Sequence, residues 1–179
     1  KNARITAIDL SRSSLAYAIR KTREYEMGSI NFKKMDLLNV NELGDKFDVI
    51  ECSGVLHHME QPTAGLAALV QQLKPKAYIK LGLYSEIARQ VIIEAQKTIQ
   101  ALGIKSTPDD IRAFRRRVLD GEIKKLLDLQ NMGRDFYSLS ECRDLCFHVQ
   151  EHLYTTDKLQ KLLNSHGLTF CGFMLPEKI

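Results

Sequence analysis

The stretch FDVIECSGVLHHM, Phe47 to Met59, carries the most telling local pattern in this chain. Its first half is apolar except for Asp48 and Glu51, as a buried strand requires. The strand runs into Cys52-Ser53-Gly54, and a glycine there lets a ligand approach the backbone closely. Val55, Leu56, His57, His58 and Met59 follow as a loop or helical turn. A histidine in that place can orient a substrate or take up a proton, and it can equally be a structural hydrogen-bonding group.

Working outward, the same strand-and-helix rhythm recurs on both sides. Upstream, RITAIDL (Arg4 to Leu10) is a short buried strand, followed by Ser11 where an N-cap belongs. Leu15, Ala18, Ile19 and Thr22 form a helical stripe that predicts a helix from Ser11 to Met27, ended by Gly28. INFKKMDLL (Ile30 to Leu38) is the next strand, with Asp36 near its end. Downstream, Pro62 opens a helix predicted to reach Leu73, where Lys74-Pro75 stops it. YIKLGLY (Tyr78 to Tyr84) is a fourth strand. This alternation predicts a mostly parallel α/β sheet with helices on both faces, and near-continuous apolar strands predict burial on both sides.

The rhythm changes after Ser85. Ile87, Val91, Ala95, Ile99 and Leu102 mark an amphipathic helix over Glu86 to Leu102. Thr107-Pro108-Asp109-Asp110 starts another, which with its continuation runs to about Leu129 and has a break at Gly121. A polar segment, Arg134 to Glu141, comes next. The chain then closes with a strand (His152 to Thr155), a helix to His166 ended by Gly167, and a strand from Leu168 to Leu175. The expectation is one domain over residues 1–179, with residues 86–137 as a helical insertion or cap.

Composition sets outer bounds. With 179 residues, 44% hydrophobic and 27% charged, the chain suits one globular core. A net charge of +4 is too mild to imply nucleic acid, and the run RAFRRR (Arg112 to Arg117) reads as a solvated helix face, with an anionic partner as the alternative. Cys52, Cys142, Cys146 and Cys171 form no C-x-x-C pair. Reduced thiols and a cytoplasmic location are the simplest expectation. No apolar run reaches the roughly 18 residues of a membrane span.

Three features fall at the carboxyl ends of successive strands, where open α/β sheets bind ligands. Asp9 can accept from both hydroxyls of a nucleotide ribose, or can serve as an acid at the helix start beside Ser11. Asp36 and Leu37 can take an adenine amino group and ring, or be a turn aspartate and a core leucine. The third feature is the Cys52-Ser53-Gly54 turn and its paired histidines.

Taken together, Asp9, Asp36 twenty-seven residues later, FDVIECSGVLHHM, PTAGLAALVQQLKP and YIKLGLYS resemble the class I S-adenosylmethionine (SAM)-dependent methyltransferases. The likeness covers Ile5 to Ser85. Glu151 to Phe173 looks like that family's last strand–helix–strand unit. The insertion is similar to bacterial methyltransferase domains that sometimes follow tetratricopeptide repeats. The resemblance implies SAM as cofactor, with Asp9 on the ribose, Asp36 and Leu37 at the adenine, and Cys52, Ser53 and Gly54 at the methionine end. Leu56, His57 and His58 would lie toward the acceptor.

The chain also departs from that family. A glycine-rich loop normally follows a first strand placed before the Asp9-type strand, yet only eight residues precede Asp9 and none is glycine. Lys76-Ala77 stands where the family often has two glycines. The first strand and glycine loop are therefore expected to be missing, which leaves backbone groups of two strands without a partner. Direct pairing of those strands, another chain or further residues would close the gap, so self-association there is one expectation. Weak SAM binding by this chain is another.

Methyl transfer needs alignment more than covalent help, so the lack of an obvious nucleophile–base pair does not count against an enzyme. Candidate catalytic residues are His57, His58, Tyr137 and His148, with Tyr84, Ser138, Glu141, Arg143 and His152 as further acceptor-side candidates. No metal site is expected, because no H-E-x-x-H is present. The acceptor is unidentified, and neither membrane nor nucleic acid is an expected partner. Two alternatives stand beside this: a non-catalytic interaction module that retains the fold, and an NAD-binding oxidoreductase.

Overall fold

The computed structural model describes residues 3–28, 30–148 and 151–174. They fall into two compact units, one built from residues 1–56, 61–82 and 165–168, the other from 57–60, 83–164 and 169–179.

The first unit is the strand-and-helix half. β1 (Ile5–Asp9) pairs in parallel with β2 (Ile30–Lys34), Asp9 opposite Lys34. Between them runs α1 (Arg12–Glu24), capped by the Ser11 hydroxyl accepting from the Ser14 N–H at 3.2 Å. α1 ends before Gly28, with Glu26 taking the left-handed turn at φ 49°. After β2, a 3₁₀ segment over Leu37–Leu43 buries Leu37 and Val40. β3 (Phe47–Ser53) then pairs in parallel with β4 (Leu73–Gly82), and α2 (Pro62–Val70) lies between them in the chain. α2 turns its buried Leu66 and Leu69 inward and packs on the 3₁₀ segment.

The sequence places a helix stop at Pro75 and a strand start at Tyr78. The helix instead stops at Val70, and β4 begins at Leu73. The ladder absorbs Lys74-Pro75-Lys76-Ala77 as a register shift, since Phe47 faces Leu73 but Val49 faces Tyr78. Lys76 sits in this bulge at φ 62°, a conformation that glycine adopts at less cost.

Among the described residues β1–β2 and β3–β4 are separate two-stranded ladders, and none joins β1 to β3. Direct pairing, one of the three expected ways to close the sheet, is therefore not how this chain folds. Burial on both sides of the strands is not realised either. Val49 and its partner Tyr78 are 64% and 65% exposed, because none of the described residues of this unit covers that face.

The second unit is mainly helical. β5 (Tyr84–Ser85) leads into α3 (Gln90–Ala101), α4 (Pro108–Leu119), a 3₁₀ stretch over Lys124–Met132, α5 (Arg134–Tyr137) and α6 (Leu139–Phe147). Thr107 caps α4 as its position predicts, accepting from the Asp110 N–H at 3.2 Å. Gly121, at φ 74°, ends the helix before the 3₁₀ stretch. Ile92, Ile99, Ile111, Phe114, Leu126, Phe136 and Leu145 belong to one buried cluster. β6 (Leu153–Tyr154) pairs in parallel with β5, and α7 (Thr156–Ser165) follows.

The closing strand expected over Leu168 to Leu175 is not formed in its described part, Leu168–Met174. Gly172 takes φ 141°, and the Phe170 and Phe173 rings meet at 4.9 Å. Residues three apart in a flat strand point to opposite faces, so the chain must bend here. Leu175 lies outside the described residues.

Candidate functional site

In the first unit, the predicted cofactor residues lie at the carboxyl ends of the parallel strands. Asp9 ends β1, and its carbonyl accepts from the Met35 N–H at 3.1 Å, which brings the chain to Asp36 one residue later. One oxygen of Asp9 accepts from the Ser11 N–H at 2.7 Å. Its other oxygen is left available among the described residues, and the residue is exposed. Asp36 behaves similarly: one oxygen accepts from the Leu38 N–H at 2.9 Å and caps the 3₁₀ segment. Each carboxylate thus fills the structural role open to it and keeps an acceptor atom in hand.

Leu37 is buried, with 9% exposure, and serves the core. The exposed apolar residues beside these carboxylates in sequence are Leu10, next to Asp9, at 61% and Leu38, two after Asp36, at 47% exposure. The sequence left both roles open for Leu37, and the core role is the one realised, because the 3₁₀ segment packs on α2.

At the other ladder, Cys52 is buried, and burial raises its thiol pKa. Ser53 and Gly54 are exposed. Ser53 faces Gly82, where an added Cβ would lie 2.7 Å from the serine Oγ and 3.0 Å from its Cα. Gly54 turns at φ 74° with open space where a side chain would be. Its glycine therefore answers to backbone conformation and leaves the main chain accessible.

The second unit gathers four of the nine acceptor-side candidates, His57, His58, Tyr84 and His148, into a column of planar groups. The His57 ring lies 3.9 Å from Tyr84 and 4.2 Å from His58. His58 in turn lies 4.1 Å from His148, at the end of α6. His57 is almost wholly buried, and its carbonyl accepts from the His152 N–H at 2.8 Å. Burial raises the Tyr84 hydroxyl pKa, and Arg89 pulls the other way.

Sequence inspection missed two members of this group. Arg89 stacks on Tyr84, its guanidinium carbon 3.6 Å from the ring centre. Glu151 holds Arg89 at 2.6 Å, with side chains only 6% and 11% exposed. In isolation each reads as a surface charge, and no fixed spacing signals their meeting.

Tyr137, Ser138, Glu141 and Arg143 serve elsewhere. The Tyr137 carbonyl accepts from the Arg115 guanidinium while the residue is 52% exposed. Ser138 bonds Ser140, Glu141 pairs with Arg134 at 3.2 Å, and Arg143 is exposed. Among the described residues no group of three or more His, Cys, Asp or Glu is placed to hold a metal ion. None of the described helices is long and apolar enough to cross a membrane.

Comparison with known proteins adds to this geometry. The family described as "Methyltransferase domain" matches residues 1–79. An uncharacterized protein of Synechococcus sp. is 37% identical over 96% of this chain and 43% of its own length. The mitochondrial ubiquinone biosynthesis O-methyltransferase of Schizosaccharomyces pombe is 25% identical over 87% of this chain and 55% of its own. Among solved structures, PKMT2 from Rickettsia typhi superposes with a TM-score of 0.63 at 14% identity, covering 89% of this chain and 34% of that one. Its complex with AdoHcy gives 0.60 at 16% identity, covering 91% of this chain and 33% of that one. The chain thus spans from about a third to just over half of each relative.

Proposed function

We propose that this chain is a class I SAM-dependent methyltransferase domain, whose first unit holds SAM and whose second unit selects the methyl acceptor. The cofactor supplies the chemistry as an electrophilic sulfonium methyl, and the protein's share is placement.

The observation that carries this reading is the pair of half-used carboxylates at adjoining strand ends. Asp9 accepts from the ribose hydroxyls with the oxygen that Ser11 does not occupy. Asp36 receives the adenine amino group in the same way, while exposed Leu10 and Leu38 supply apolar surface for the ring. The accessible backbone at Ser53 and Gly54 takes the methionine end. On the acceptor side, His57 and His58 are the side chains suited to orient a nucleophile or accept its proton.

Among the described residues β1 and β3 are not joined, and a further strand would pair along their open edges.

A thermal-shift comparison tests the cofactor. Millimolar SAM should raise the unfolding midpoint, NAD should not, and Asp9→Ala should erase the SAM response. Stabilisation by NAD instead would favour the oxidoreductase alternative. No response to either, with capture of a protein partner, would favour a silent interaction module.

A further inference from the structure

We propose that Arg89, anchored by Glu151, is a positioning residue that sets the ring of His57 through Tyr84. Three segments distant in sequence converge to make this device, at residues 57, 84–89 and 151–153. β5 brings Tyr84 beside Leu153 of β6, so Glu151 and His152 run alongside it. The Glu151 carboxylate takes the Arg89 guanidinium at 2.6 Å, and the His152 N–H donates to the His57 carbonyl at 2.8 Å. The face of the guanidinium covers one side of the Tyr84 ring at 3.6 Å, and the His57 imidazole lies 3.9 Å from that ring. The histidine is thus held by its backbone from residue 152 and, at its ring, by Tyr84 together with His58.

The ion pair is poorly explained by stability alone. Taking both charges out of water costs about as much as their attraction returns, so an apolar pair of similar volume would often serve as well. The Arg89 Nε is moreover buried without a hydrogen-bond partner among the described residues, a further cost to the fold. What charged arginine supplies and an aliphatic side chain would not is a flat cation whose orientation is set by a carboxylate and whose face attracts a tyrosine ring. Its product is the angle and height of Tyr84, and with them the seat of His57.

The inference rests on His57 being an acceptor-side residue, but its test requires no acceptor. Ring-labelled histidine in the full chain gives five signals, one for each histidine, and His57→Gln assigns the relevant one. Arg89→Gln should shift the His57 ring signal as the Tyr84 ring moves, leaving that of His166 unchanged. The charge-reversed pair, Arg89→Glu with Glu151→Arg, should recover thermal stability without restoring the His57 signal. If Arg89→Gln does not fold, Tyr84→Leu leaves the ion pair intact and should still displace the His57 signal, whereas Tyr84→Phe should not. An unmoved His57 signal in Arg89→Gln or Tyr84→Leu, or its full return in the charge-reversed pair, overturns the proposal. Transfer of labelled methyl from SAM to a cell extract by His57→Gln, compared with the unaltered chain, examines the acceptor-side reading separately.

Discussion

The two units solve the problem of burial differently. α4, in the helical unit, buries Ile111, Phe114 and Val118. α1, of similar length in the strand-and-helix unit, buries none of its residues fully. The helical unit closes around its own apolar cluster, whereas the parallel strands leave Val49, Tyr78 and Ile5 in contact with water. A parallel strand is apolar on both faces and needs a layer on each. The lesson is that the unit carrying Asp9, Asp36 and Gly54 has the less complete core, while the unit carrying the ring column encloses its own apolar cluster.

The largest expected effect sharpens that contrast. Phe114→Ala should cost about 3–5 kcal/mol in the helical unit, while Val49→Ala should stay within about 0.5 kcal/mol. Urea denaturation with unit-resolved amide exchange measures both; equal costs would break the comparison. Next comes Gly82→Ala, which should cost about 1–3 kcal/mol, because the added methyl meets the Cβ and Cα of Ser53 as well as its hydroxyl. An unaltered midpoint there would show that the two strands give way easily. Lys76→Gly should gain up to about 1 kcal/mol: relief of the left-handed strain exceeds the added chain entropy by a small margin. A loss would mean that the lysine side chain contributes more than its backbone costs.

The subtlest expected difference is one of pH. Burial raises the Tyr84 pKa in the folded chain, so the neutral phenol favours folding. That contribution is complete below the unfolded value of about 10 and disappears as pH rises through the higher folded value. Unaltered protein should therefore lose stability more steeply than Tyr84→Phe above about pH 10. Tyr154, raised by burial too, adds to the slope in both, and parallel curves would contradict the assignment to Tyr84.

Much of this fold was legible in the sequence because strand period and helix caps are local signals. Ser11 and Thr107 cap where their hydroxyls predict, and Asp9, Asp36 and Gly54 fall at strand ends as the alternation requires. What was open or escaped depends on distant partners. Leu37 takes its alternative role in the core because the 3₁₀ segment packs on α2, and Leu168–Met174 bends although its composition suits a strand. The ring column joins residues 57, 84, 89, 148 and 151, and no spacing in the chain marks them as neighbours.

The most direct test of the cofactor assignment is a titration of the chain with AdoHcy, followed by backbone amide NMR. Millimolar ligand should shift the signals of Asp9, Asp36, Ser53 and Gly54. Unchanged signals at those four positions, or changes confined to the helical unit, would contradict it.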